Sequence, residues 1–197
     1  MRAKTFSGRT ASQDADELAW FLKLLRAERV KAYGEVGARD GDTFHAVMTS
    51  LPKSTRGVAL DLPGGAWGKG STRSNLKRVI SNLVAKGYDA SAVFGDSTTP
   101  ATIAQFGGRG RYDVIFIDGD HSLSGVTADW MNYRGLARLV AFHDIAGAES
   151  IDKKTKAPVE VPLLWEAIKR EGHRTAEYLT PGAGMGIGVV WVRGGTS

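Results

Sequence analysis

Residues 114–125, VIFIDGDHSLSG, join an apolar stretch to side chains that can do acid–base or ligand chemistry. Four apolar residues lead directly to Asp118, Asp120 and His121. Carboxylates held together at the end of a buried strand repel each other, and their proximity raises the pKa of one of them. The segment therefore indicates a site that uses these groups, with a bound cation as one way to relieve the repulsion.

Four other predicted strands also end in residues with binding chemistry. Their ends carry Glu35 with Gly37 and Gly41, Asp61, Asp96 with Ser97, and His143 with Asp144. Glycines let a loop turn sharply against a ligand, and an aspartate about 20 residues further on can accept hydrogen bonds from both hydroxyls of a ribose. Asp96 can accept a hydrogen bond from an adenine amino group or cap the helix that follows it. Because ligands of open parallel sheets bind beyond the carboxyl ends of the strands, we expect these residues to share one rim.

Apolar strands alternate with amphipathic helices along the whole chain. The pattern predicts strands at 31–37, 57–62, 90–94, 112–118, 137–144, 175–179 and 186–192, and helices at 14–30, 42–51, 75–87, 98–106, 125–136 and 162–172. This alternation is typical of a parallel sheet with helices on both faces, closed here by a terminal hairpin. Asp14 and Glu17 resemble a capping box at the first helix. We predict one domain over residues 1–197, with the glycine-rich segment 63–74 as a candidate flexible lid.

Composition narrows the classes of function. The 197 residues include no cysteine, which excludes disulfides, thiolate metal sites and a cysteine nucleophile. The net charge of +5 favours anionic partners, but it is spread along the chain, so nucleic-acid binding is disfavoured without being excluded. No apolar run approaches the roughly 20 residues of a membrane span, and no secretory signal is evident. We expect a cytoplasmic protein that is not bound to a membrane; its oligomeric state is open, with a homodimer as one option.

The strand-end motifs resemble class I S-adenosylmethionine-dependent methyltransferases. Within that class they are similar to the small, metal-assisted O-methyltransferase-like group related to macrolide-sugar and catechol O-methyltransferases. The resemblance is carried by EVGARDG (35–41), LD (60–61), GDS (95–97), FIDGDHSLSGVTADW (116–130) and VAFHDI (140–145). It implies a Rossmann-like, doubly wound α/β fold with a seven-stranded, mostly parallel sheet of order 3-2-1-4-5-7-6 and an antiparallel last strand. Arg39 stands where many members of the class carry the middle glycine.

The resemblance also implies a role for each strand-end residue. The implied cofactor contacts are Glu35, Gly37, Gly41, Asp61, Asp96, Ser97 and Asp118, and the implied metal ligands are Asp118, His143 and Asp144. Oxygen-rich ligands favour magnesium, although related proteins have two adjacent acids where this chain has His143 and Asp144. His121, or else Asp120, would take the proton of the acceptor hydroxyl. The implied function is metal-assisted O-methylation of a small hydroxylated acceptor such as a sugar, a phenol or a polyol.

The sequence disfavours three other classes of function and leaves two open. Methylation at a cytosine carbon needs a cysteine, and the D-G-D-H strand end disfavours the exocyclic-amine methylases. A haloacid-dehalogenase-type phosphatase is disfavoured because its aspartate motif normally opens the chain. A related metal-dependent hydroxylase-like enzyme and a non-catalytic protein that binds a cofactor or nucleic acid both stay open, since a fold does not guarantee a function.

Overall fold

A computed structural model describes residues 14–67, 70–147, 150–152, 155–180 and 185–192. Its seven strands form one sheet in the order β3-β2-β1-β4-β5-β7-β6. The strands are β1 (Ala32–Val36), β2 (Arg56–Asp61), β3 (Asp89–Phe94), β4 (Tyr112–Ile117), β5 (Ala137–His143), β6 (Arg174–Tyr178) and β7 (Ile187–Trp191). The first five strands pair in parallel, and β7 runs antiparallel to both β5 and β6. The predicted fold class and strand order are confirmed.

The described residues include six helices close to the predicted positions, the first of them ahead of β1. They are α1 (Ala15–Ala27), α2 (Asp42–Ser50), α3 (Arg73–Ala85), α4 (Pro100–Gly107), α5 (Leu123–Tyr133) and α6 (Val161–Arg170). A short 3-10 turn, Arg134–Leu136, follows α5 and had been predicted as part of that helix. Asp14 caps α1 by accepting a hydrogen bond from the backbone N–H of Asp16, as expected of an N-cap aspartate. None of the described helices is long and apolar enough to cross a membrane.

The core lies on both faces of the sheet. Along β4, Val114 and Phe116 join the apolar cluster on one face, and Ile115 and Ile117 join the cluster on the other. Successive side chains of a strand point to opposite faces, so a strand covered on both sides needs apolar residues throughout. This explains the uninterrupted apolar run that precedes Asp118.

The register of the sheet aligns the carboxyl ends of the central strands. Val36 of β1 pairs with Leu60 of β2 and with Ile117 of β4, while Ile117 also pairs with Phe142 of β5. The residue that follows each of these positions therefore emerges at the same rim of the sheet. Those residues are Gly37, Asp61, Asp118 and His143.

Candidate active site

A cleft of about 730 Å³ opens at this rim. It is lined by ten of the predicted site residues: Glu35, Gly37, Asp61, Asp96, Ser97, Asp118, Asp120, His121, His143 and Asp144. Gly41 is the exception. A side chain at Gly41 would contact Leu76 Cδ1 of α3 at 2.9 Å, so this glycine serves the packing of α2 against α3.

The loop after β1 passes directly against the end of β4. Gly37 has a φ of +89°, and a Cβ there would overlap the carbonyl of Asp118 and lie 2.5 Å from the Gly119 Cα. Arg39 also has a left-handed backbone, with a φ of +51°, and its N–H donates to Asp61 Oδ1 at 2.8 Å. Only glycine adopts this conformation without strain. This conformation explains why the resembled class often has glycine at the position of Arg39.

Asp61 offers an acceptor that the described residues leave unused. Its side chain is 5% exposed, and its Oδ2 is buried without a hydrogen-bond partner among the described residues. Burial raises the pKa of Asp61 to about 6. A buried carboxylate oxygen beside a cleft gains most from a neutral donor supplied by a ligand, because an unpaired buried polar atom is costly. The hydroxyls of a ribose have that chemistry.

Glu35 is buried more deeply, at the end of β1. It is 1% exposed, and its Oε2 accepts a hydrogen bond from the Tyr33 hydroxyl at 2.6 Å. Burial raises the pKa of Glu35 to about 8, although the bond from Tyr33 acts in the opposite direction. At neutral pH the carboxyl is therefore mostly protonated, and it can donate a hydrogen bond as well as accept one.

Asp96 and Asp120 each use the carboxylate in a local turn. Asp96 Oδ1 accepts from the N–H and the hydroxyl of Thr98 at 2.8 and 2.7 Å, and these bonds lower its pKa. Asp120 Oδ1 accepts from the Ser122 N–H at 2.9 Å, at the entry to α5. Such bonds are typical of turn residues. The predicted adenine contact of Asp96 and the predicted proton transfer by Asp120 stay predictions.

The ends of β4 and β5 bring two histidines between two aspartates. His121 Nδ1 lies 2.9 Å from Asp144 Oδ2, and His121 Nε2 lies 3.4 Å from Asp118 Oδ1. His143 Nδ1 lies 3.2 Å from Asp118 Oδ1 and 3.3 Å from Asp144 Oδ1, while its Nε2 lies 3.6 Å from Glu17 Oε2 of α1. We call these five side chains the histidine–carboxylate cluster.

The cluster shifts the pKa of three of its members, His121, His143 and Asp118. Burial alone would lower the pKa of His121, but hydrogen bonds to Asp118 and Asp144 raise it to about 9. Burial acts on His143 in the same way, and the carboxylates hold its pKa well above the usual value. Burial would raise the pKa of Asp118, yet the charge of His143 and the bonds from both histidines hold it well below its usual range. The two histidines and Asp118 therefore favour each other's charged forms.

No protein-family model matches the chain, and no curated protein matches it. Several solved structures do match the chain. A protein from Staphylococcus aureus assigned as a caffeoyl-CoA O-methyltransferase matches with a TM-score of 0.68 and 15% identity over 91% of this chain and 84% of its own. The O-methyltransferase from Bacillus cereus in complex with SAH matches at 0.66, with 19% identity over 91% and 82%. TomG, an O-methyltransferase of tomaymycin synthesis from Streptomyces achromogenes in complex with SAM, matches at 0.64, with 16% identity over 96% and 85%.

The chain shares the fold of these O-methyltransferases. The likeness extends over nearly the whole chain, 96% of it in the match to TomG. In this methyltransferase fold the rim built from Gly37, Asp61 and Asp118 lies at the carboxyl ends of the central strands, where open α/β sheets bind ligands.

The predicted magnesium ligands Asp118, His143 and Asp144 are not arranged to hold a divalent cation. Among the described residues, no group of three or more His, Asp or Glu side chains could hold a metal ion. The oxygens of Asp118 and Asp144 contact imidazole nitrogens of His121 and His143. The predicted magnesium site is therefore not confirmed.

Three residues of this methyltransferase fold add to the site beyond the predicted set. Trp67, from the candidate lid, stacks on the ring of His121 with centroids 4.9 Å apart and planes 15° apart. Glu17, foreseen only as a capping residue, points into the protein towards His143. Asp129 of α5 is 1% exposed, and a Cβ on Gly119 would lie 3.4 Å from its Oδ2, so it lies just beneath the rim.

The helical pattern of the sequence contains a signal for the two buried acids, Glu17 and Asp129. Val126, Asp129, Trp130 and Tyr133 share the buried stripe of α5, and Glu17 precedes Phe21 by one turn on the buried stripe of α1. A carboxylate inside an apolar stripe is rare unless it has a partner or a function. Neither oxygen of Asp129 has a hydrogen bond of regular geometry among the described residues, and burial raises its pKa to about 7 even with the Ser97 side chain nearby.

Proposed function

We propose that this chain transfers the methyl group of S-adenosylmethionine to a hydroxyl oxygen of a small acceptor. The observation that carries the proposal is the cleft itself. It places Asp61, whose Oδ2 has no hydrogen-bond partner among the described residues, and the close-packed Gly37 loop on the same rim as the histidine–carboxylate cluster. Solved structures of the same fold in complex with SAH and with SAM support this assignment of the cofactor.

The residues of the first three strand ends suit an adenosyl cofactor. Asp61 would accept hydrogen bonds from the ribose hydroxyls, because its Oδ2 has no other donor among the described residues. Asp96 and Ser97 would adjoin the adenine, and both line the cleft at the end of β3. Glu35 and the Gly37 loop would contact the methionine part, and the negative charge of Asp118 would favour a cationic sulfonium nearby.

Bound S-adenosylmethionine supplies a methyl group on a positively charged sulfur, which makes that carbon open to attack by an oxygen. The acceptor hydroxyl must lose its proton as the new C–O bond forms and the C–S bond breaks. His121 is the group placed to take it, since Asp144 holds its Nδ1 at 2.9 Å while Nε2 has only the looser contact of 3.4 Å with Asp118. The acceptor hydroxyl would replace that looser contact.

The raised pKa of His121 sets a condition on this role. With a pKa of about 9 the ring is mostly protonated at neutral pH. Only the neutral ring accepts a proton, so roughly one molecule in a hundred is ready at pH 7. The rate of transfer should therefore rise with pH until it levels near pH 9. The magnesium-assisted form of the reaction stays a prediction, and no step above depends on it.

The proposal is tested by methyl transfer from labelled S-adenosylmethionine to a panel of sugars, phenols and polyols. We expect label in an O-methyl product, with a rate lost in His121→Asn and in Asp61→Ala but retained in Asp89→Asn, an exposed position far from the rim. Cofactor binding without transfer to any acceptor would favour the non-catalytic alternative. Steeply salt-dependent binding of nucleic acid would favour the basic-surface alternative.

A further inference from the structure

Basic side chains gather at the edge of the sheet opposite the cleft, where the parallel strands begin. Four neighbouring strands have a cation at or shortly before their first residue: Lys86 before β3, Arg56 in β2, Lys31 before β1 and Arg111 before β4. We call the basic edge these four residues together with Lys53 and Arg109. Positive charge is spread along the sequence, but the strand order brings these distant segments to one edge.

Hydrogen bonds join the basic edge into one surface. The guanidinium of Arg56 donates to two carbonyls of segment 109–111, and its backbone N–H donates to the Lys31 carbonyl at 2.9 Å. Lys53 Nζ donates to the Lys86 carbonyl at 2.7 Å. These bonds fix the segments relative to one another. Because their acceptors are neutral carbonyls, they leave the positive charges of Arg56 and Lys53 in place.

The acids at the same edge are mostly engaged within the protein. Asp113 Oδ2 accepts hydrogen bonds from two backbone N–H groups at the start of β1, at 2.7 and 3.0 Å. Glu28 pairs with Arg138, while Asp89 is exposed and offsets one charge. Within the part of the chain that the structure describes, none of the six cations of the basic edge forms an ion pair. Five of them are exposed and Arg56 is half-buried, so the edge presents an excess of positive charge to solvent.

The arrangement of the basic edge suits a chain of connected phosphates. Adjacent strands lie about 4.8 Å apart, so four strand starts span roughly 15 Å. One strand of a duplex carries about four phosphates over that length, since its charges are spaced about 3.4 Å apart along the axis. Successive phosphates can therefore meet a cation at each strand start. An anionic bilayer is held firmly only when an inserted apolar face or a lipid chain adds to the charge, and the basic edge consists of charged side chains.

We propose that the basic edge binds the phosphate backbone of a nucleic acid without reading its sequence. Contacts with phosphates supply affinity and position but carry no sequence information. The basic edge lies where the strands begin and the cleft lies where they end, so a bound duplex leaves the cleft open. The inference is independent of the proposed methyl transfer, and both can hold for one chain. Salt-dependent binding argues against methyl transfer only where no acceptor is methylated.

The test measures binding of a fluorescein-labelled duplex DNA fragment of mixed sequence by fluorescence anisotropy over a series of salt concentrations. We expect the logarithm of the association constant to fall with the logarithm of the salt concentration with a slope of about −4 to −5, because each contacted phosphate contributes about −0.9. Arg109→Glu combined with Arg111→Glu should weaken binding roughly tenfold or more and reduce the slope by about 2. Lys23→Glu combined with Lys77→Glu makes the same change of charge at exposed positions of α1 and α3, and its affinity should stay within about threefold of the parent.

Three results would overturn the inference. The first is no binding of DNA at the lowest salt concentration, and the second is equal weakening in the two pairs of variants, which would trace binding to the overall charge. The third is tighter binding to vesicles of phosphatidylserine and phosphatidylcholine than to DNA, which would make a lipid surface the partner. If the double variant at positions 109 and 111 does not fold, Lys31→Glu combined with Lys86→Glu replaces it, with the same expected result.

Discussion

At the ends of β1 and β2, Glu35 and Asp61 are buried beside neutral donors, the Tyr33 hydroxyl and the backbone N–H of Arg39, and burial raises the pKa of both. At the ends of β4 and β5 the acids lie against imidazole rings, and the pKa of Asp118 is lowered. We call the first region the neutral half of the cleft and the second the charged half. The two halves belong to one rim and one sheet, yet the pKa of Asp118 is shifted in the opposite direction from the pKa values of Glu35 and Asp61.

The difference indicates what each half lacks. In the neutral half, Asp61 Oδ2 has no hydrogen-bond partner among the described residues, so a ligand with hydroxyl donors would relieve an existing cost. In the charged half, His121 and His143 already balance the acids, so an added cation would have to displace them. A nucleoside cofactor therefore suits the first half, and proton transfer or charge stabilisation suits the second.

The largest effect is expected from breaking the charged half. Asp118→Asn removes one of the two aspartates that both histidines contact, and we expect the free energy of unfolding to fall by about 3 kcal/mol, near the low end for a buried pair because the side chain is partly exposed. Asp120→Asn removes an exposed carboxylate two residues away and should change it by less than about 1 kcal/mol. Urea unfolding monitored by tryptophan fluorescence measures both. Equal losses in the two variants would show that the cluster adds no stability.

The neutral half is tested by cofactor affinity. Asp61→Ala should weaken S-adenosylmethionine binding by about 10- to 100-fold, the range for hydrogen bonds to a charged group. Asp144→Ala removes an acid of the charged half and should leave the affinity within about threefold of the parent. Calorimetry on both folded variants gives the comparison. Equal weakening would mean that the two halves do not differ in what they bind.

Stability should also depend on pH in a direction that the charged half dictates. The pKa of His121 is about 9 in the folded chain and about 6.5 when unfolded, so its stabilising contribution is complete below pH 6.5 and is lost as the pH rises through 9. Glu35, with its raised pKa of about 8, acts in the same direction, because ionising a buried acid opposes folding. We expect the free energy of unfolding to fall by about 2 kcal/mol between pH 6.5 and 9.

Thermal unfolding in a series of buffers measures this slope. His121→Gln should flatten it over the same range, whereas His173→Gln, outside the cleft, should keep it. A parent protein that is more stable at pH 9 than at pH 6.5 would contradict the charge assignment of the cluster.

The smallest effect is expected from Asp129, the buried acid beneath the rim. Its pKa of about 7 means that ionising it in the folded chain opposes folding. Asp129→Asn should therefore raise the free energy of unfolding by about 1 kcal/mol at pH 8, with little change at pH 4, where the acid is protonated in the folded chain. Asp89→Asn, at an exposed position, should show no such pH-dependent gain. If Asp129→Asn is less stable than the parent at pH 8, the carboxylate has a partner that stabilises its charged form.

The sheet and the convergence of Asp61, Asp118 and His143 were predictable because alternating strands and helices leave few topologies, and parallel strands end at a common rim. The pairing inside the cluster was not predictable. It depends on the left-handed backbone of Asp144 and on Glu17 of α1, which is distant in the sequence from both strand ends. The motif suggested repulsion between acids and a metal ion to relieve it, whereas the side-chain orientations bring imidazole nitrogens of His121 and His143 against those acids.

A crystal structure with S-adenosylhomocysteine is the most direct test of the account. We expect that structure to show both ribose hydroxyls within hydrogen-bond distance of the Asp61 carboxylate. The adenine should lie beside Asp96 and Ser97, and the sulfur should face His121. A nucleoside bound away from the rim of β1, β2 and β4, or no binding at saturating concentration, would contradict it.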